Sequence, residues 1–75
     1  MADVPAISAS KAIKAFGKAG FSLVRQRGSH CILKKDGHRF ILSIPDHGNK
    51  SLGLGLLRSQ IAAAGLSVDE FISLL

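Results

Sequence analysis

Seventy-five residues make one domain, 1–75, close to the smallest size at which a hydrophobic core supports itself. Its 47% hydrophobic and 20% charged residues exclude a disordered chain, and its size leaves room for help from a partner or from self-association into a homo-oligomer. Ten Lys and Arg against five Asp and Glu give a net charge of +5, and residues 1–58 hold all ten bases and three of the acids, so polyanions are natural partners of the domain's body.

On charge alone a merely soluble basic surface is an equal reading. A single cysteine, Cys31, cannot staple the chain, so folding does not require an oxidising compartment. The opening MADVPAISAS carries an early acid and no long apolar run, and no later run approaches a membrane span. A cytoplasmic protein without a membrane partner is expected.

Residues 1–8 read as a loose N-terminal lead-in. Ser8 or Ser10 then caps a helix that runs to about Gly20. Lys11, Lys14 and Lys18 fall on one side of it, and Ala12, Ile13, Phe16 and Ala19 on the other. Three β-type runs follow, at Phe21–Gln26, Ser29–Lys34 and Arg39–Ile44. Asp36-Gly37 reads as a two-residue hairpin turn between the second and third. Counting outward from that turn pairs Lys34 with Arg39, Ile32 with Ile41 and His30 with Ser43. Cys31, Leu33, Phe40, Leu42 and Ile44 then form the apolar face that meets the helices, and His30 points to the open face with Leu23, Ile32 and Ile41. Pro45 ends the third strand. A second helix is expected at about Leu54–Ala64, with Leu54, Leu57, Ile61 and Ala64 on one stripe and Gly65 closing it. Ser67-Val68-Asp69-Glu70 forms a capping box that opens a short last helix with Phe71 and Leu74 inward.

Three histidines invite chemistry. A metal site is disfavoured, because His30, His38 and His47 lack a recognisable ligand spacing and Cys31 faces away from its neighbour His30. No metal and no cofactor is expected. Ser29-His30 is not a hydrolytic pair, since adjacent strand residues point to opposite faces and no Gly-x-Ser-x-Gly elbow or acidic orienter is present. His38 reads as an exposed residue of the hairpin tip. General acid–base work suits an exposed imidazole, which titrates near neutral pH. RNA lowers what such a site must supply: its 2′-hydroxyl is an internal nucleophile, so the protein need only move protons and offset phosphate charge. Arg25, across the first hairpin from His30, and Lys50, near the start of the second helix, fit phosphate, although for Lys50 an ordinary solvated loop charge is an equal reading. His47 is a weaker candidate for a second catalytic group. The stretch GLGLLR lacks the Gly-Lys-Ser/Thr element of a phosphate loop.

The stretches KAGFSLVRQRGSH, IPDHGNKSL and GLLRSQIAAAGLSVDEF resemble the HicA-type (YcfA-like) toxins, small endoribonucleases of toxin–antitoxin pairs. The likeness runs from about Ser10 to Phe71. Its most specific element is Arg25-Gln26-x-Gly28-Ser29-His30, supported by Pro45-x-His47, Lys50 and Gly55-x-Leu57-Arg58. The family pattern usually has threonine where this chain has Leu56. The resemblance implies an α+β, double-stranded-RNA-binding-like αβββα fold, a three-stranded antiparallel sheet with helices on one face. It also implies an mRNA interferase whose cleavage depends on His30, and inhibition by a HicB-type antitoxin. In that reading Arg25, Lys50 and Ser29 meet RNA phosphate. Two other classes compete with it: a non-catalytic RNA-binding module of the same fold, and a protein-interaction domain that uses the open sheet face. The absence of Trp and Tyr argues against recognition of single strands by base stacking.

Overall fold

The computed structural model describes residues 3–75. Its elements run α1 (Ala9–Lys18), β1 (Ser22–Arg27), β2 (His30–Lys34), β3 (Leu42–Pro45), α2 (Leu54–Ala63) and α3 (Val68–Ser73). The three strands form one antiparallel sheet in the order β1-β2-β3. The expected α+β, αβββα layout is the one observed.

Local chemistry explains the element ends. Ser8 caps α1, its hydroxyl accepting from the Lys11 amide, and Gly20 takes up a positive φ of 104° just beyond the helix. The capping box of α3 is complete. The Ser67 hydroxyl accepts from the Glu70 amide at 3.0 Å, and the Glu70 carboxylate accepts from the Ser67 amide at 2.8 Å. Donation from the Ser67 backbone amide, with a smaller contribution from the Ser67 side chain, holds the exposed Glu70 carboxyl below its ordinary pKa.

One face of the sheet carries the core. Cys31, Leu33, Leu42 and Ile44 are buried on that side, and all but Cys31 join Phe16, Leu57, Ile61 and Phe71 in one cluster. Phe16 links the layers, stacking tilted on Phe71 at 4.9 Å and edge-on to Phe21 at 6.2 Å between ring centroids. Of the expected lead-in, Met1 and Ala2 lie outside the described residues. Val4 is buried, and Ser8 bridges to Ser51 while the Leu52 amide donates to the Ile7 carbonyl at 2.8 Å.

The second turn departs from the expected hairpin. The His38 amide does donate to the Lys35 carbonyl, at 3.0 Å, across Asp36-Gly37. However, only Gly37 has a positive φ, 76°, which is the pattern of a type II turn. Hairpins favour the mirror-image turns, whose twist matches that of the strands, whereas a type II turn splays them. Residues 35–41 accordingly leave the sheet. The His38 ring, expected to be exposed, is half-buried instead: its Nε2 donates to the Ala63 carbonyl at the end of α2, at 2.7 Å, and the ring meets Phe21 edge-on at 5.2 Å. The third strand therefore starts at Leu42 rather than Arg39, and β2 pairs with β3 two residues further on than expected. His30 faces Pro45, and Ile32 faces Ser43. Phe40, expected in the core, is 55% exposed because it lies in this loop. Leu54, expected on the inner stripe of α2, is 53% exposed in the helix's first turn, while Leu57, Ile61 and Ala64 are buried as expected.

Candidate nucleic-acid interface

The first hairpin builds the site. Gly28 and Ser29 form a two-residue turn between Arg27 and His30, with Gly28 at φ 56° and Ser29 at negative φ. A glycine at the first central position is the signature of a type II′ turn, which closes a hairpin without splaying it. The Gln26 side-chain amide reinforces the turn by donating to the Gly28 carbonyl at 3.1 Å. His30 is thereby held as the first residue of β2, with its side chain exposed.

Register decides what surrounds it. Arg27 pairs directly with His30, and Arg25 pairs with Ile32, one step further along the same face. Arg27 was not singled out by the sequence; counting outward from Gly28-Ser29 as a two-residue turn finds it. A bulge between Leu23 and Arg25 gives β1 one extra residue, Val24. Leu23 consequently pairs with Leu33 on the helix side, whereas Val24 turns toward the open face; the expected patch of Leu23, Ile32 and Ile41 becomes Val24, Ile32 and Ile41. These three, with Arg25, Arg27 and Lys34, line an open depression of about 610 Å³ on the face away from the helices. Three cations and three aliphatic side chains thus share one surface beside His30.

The end of the sheet gathers further polar groups. His30 faces Pro45 across the β2–β3 ladder, and the Asp46 amide donates to the Ser29 carbonyl at 2.6 Å. The Asp46 carboxylate accepts from the Gly48 amide at 3.0 Å, turning the chain around an exposed His47. Ser29, His30, Asp46 and His47 therefore belong to one end of the sheet. Lys50 is exposed, three residues before Gly53, which caps α2 without a side-chain bond. Among the described residues no three His, Cys, Asp or Glu side chains are placed to hold a metal ion. Cys31, on the other face, is 3% exposed; burial, with the Asp46 charge as a smaller cause, pushes its thiol pKa up, away from the reactive thiolate. Among the described residues no helix is long and apolar enough to cross a membrane.

The arrangement provides an imidazole open to solvent, paired with one guanidinium, with two further cations farther along the same face. Such a set of charges attracts anions, a phosphodiester among them. Residues 9–66 match the family model described as the HicA toxin of bacterial toxin–antitoxin. No curated protein matches the chain.

Proposed function

The chain belongs to the HicA toxin family of bacterial toxin–antitoxin systems, and on that premise we propose that it is an mRNA interferase, an endoribonuclease in which His30 acts as acid or base without a metal. The observation that carries this reading is the exposed His30 opposite Arg27, at the edge of a surface lined by Arg25 and Lys34.

The chemistry asks little of the protein. The 2′-oxygen attacks the adjacent phosphorus, the bond from phosphorus to the 5′-oxygen breaks, and a 2′,3′-cyclic phosphate and a free 5′-hydroxyl result. One proton leaves the 2′-hydroxyl and one reaches the departing 5′-oxygen. His30 carries one of these transfers, worth on the order of 10²–10⁴ in rate. Its second partner is His47 or water. Arg25 and Arg27 hold the phosphate and offset the charge that builds on its oxygens, with Ser29 and Lys50 as further contacts. The nucleophile is internal to RNA, so no metal is needed to generate one.

Family membership implies an antitoxin. In this reading it is a HicB-type protein that covers Val24, Ile32 and Ile41 and hides His30 in the same step, because a wet aliphatic patch beside a charged site is a surface that protein contacts favour. The experiment is His30→Ala. RNA cleavage and growth arrest are lost, roughly a hundredfold or more in rate, while the unfolding midpoint stays at the parent's value because the ring is exposed and packs on nothing in the core. Full cleavage by this variant would refute the assignment.

A further inference from the structure

On the helix side of the molecule, away from His30, a groove of about 370 Å³ runs between α1 and the end of α3. Ile7, Leu74 and Leu75 contribute to its apolar lining, and Lys11, Lys14 and Lys18 edge it. The three lysines follow the spacing i, i+3, i+7 and so form one straight row, spanning roughly 10 Å along the helix. α1 contains no acidic residue, and none of the chain's five acids lines the groove. The row is therefore a concentrated positive field beside apolar surface, and Leu75 at its edge is 48% exposed.

Two kinds of polyanion suit a lysine row. A nucleic-acid backbone needs cations and gains nothing from leucines beneath them. An amphipathic helix with an acidic flank uses both, placing aliphatic anchors on the floor and carboxylates against the row at the same helical spacing. The volume, near the small end of the range of about 300–1,000 Å³ for ligand pockets, and the open shape suit a few side chains of such a helix better than an enclosed small molecule. We propose that the α1–α3 groove docks an acidic amphipathic helix of a protein partner, on a surface separate from the open sheet face, so that both faces can be occupied together.

The test uses the full chain, labelled with ¹⁵N, and a synthetic helical peptide about fourteen residues long, roughly 21 Å of helix. The peptide carries leucines on one stripe and glutamates beside it. A second peptide has serine in place of the leucines, and a short RNA duplex forms the third arm. Amide shifts with the leucine peptide fall on α1 and α3 and leave Arg25, Arg27 and His30 unmoved. The serine peptide binds at least about fivefold more weakly, since it lacks the apolar anchors. Lys11→Glu combined with Lys14→Glu, both at exposed positions and checked for an unchanged circular dichroism spectrum, lowers affinity for the leucine peptide roughly tenfold or more. Equal binding of the two peptides, a footprint on the open sheet face, or no binding overturns the proposal. A duplex that displaces the peptide and shifts α1 in its place also overturns it, and assigns the lysine row to nucleic acid. None of these readings depends on cleavage by His30.

Discussion

The two faces of the sheet are made from alternate residues of the same strands, yet they have opposite characters. On β2, Cys31 and Leu33 are buried against the helices, while His30 and Lys34 are exposed and Ile32 is only half-buried on the other side. The helix side has an apolar residue at every inward position of β2 and β3. The open side mixes three cations, a histidine and three aliphatic side chains, a composition that neither packs into a core nor dissolves freely. Stability is thus concentrated on one face, and the other can hold chemically demanding groups at little cost to the fold.

The largest difference should appear when one charge is placed on each side of β2. Leu33→Asp buries a carboxylate in the cluster with Phe16 and Leu42 and is expected to cost more than about 4 kcal/mol, enough to abolish folding in so small a domain. Ile32→Asp, one residue earlier, should cost only about 1–2 kcal/mol. Urea unfolding of the two variants checks this, and equal losses would mean that both faces support the fold.

The loop that joins β2 to β3 provides the next test. His38→Ala removes the bond to the Ala63 carbonyl and the contact with Phe21, and should cost about 1–3 kcal/mol. A thermal midpoint equal to the parent's would show that residues 35–41 are not anchored there.

Phe40 and Ile41 sharpen the comparison within one loop. Both are 55% exposed, so aspartate at either should change the unfolding free energy by no more than roughly 1 kcal/mol. Only Ile41 lines the open face. Ile41→Asp is therefore expected to weaken binding of a HicB-type antitoxin by about 2 kcal/mol, or roughly thirtyfold, by desolvating an unpaired carboxylate. Phe40→Asp should leave that affinity unchanged, which titration calorimetry on both variants would establish.

The smallest expected effects concern phosphate. Arg27→Ala, Arg25→Ala and Lys50→Ala should each reduce the slope of log affinity against log salt by about one unit. Arg27 is expected to lower cleavage most, because of these three residues it is the one that pairs with His30. A variant with the parent's slope does not contact phosphate.

Much of this was legible in the sequence, for reasons particular residues make clear. The exposure of His30 follows from strand alternation, and it survives an error in its partner. Pairing it with Ser43 instead of Pro45 is a slip of two residues, and a strand repeats its faces every two. Phe40 had no such protection: alternation places it inward only if the strand reaches it. Whether Asp36-Gly37 closes a hairpin depends on the sign of φ at Asp36, which composition does not reveal, and on the pull of the Ala63 carbonyl on His38, a contact across 25 residues of chain. The bulge that turns Val24 toward the open face in place of Leu23 likewise arises from pairing geometry rather than from residue type. By contrast the ends of α1 and α3 were readable because Ser8, Gly20 and the Ser67–Glu70 box act locally.

The central claim, that the open face cleaves RNA by way of the 2′-hydroxyl, is tested most directly by the chemical ends of the products. The purified chain is incubated with an RNA oligonucleotide in the presence of a chelator, beside the same oligonucleotide carrying a 2′-deoxy sugar at the cleaved linkage. The predicted result is a 2′,3′-cyclic phosphate on one fragment and a 5′-hydroxyl on the other, with the deoxy linkage intact. Cleavage at the deoxy linkage, 5′-phosphate ends, or activity that returns only with a divalent ion would contradict it.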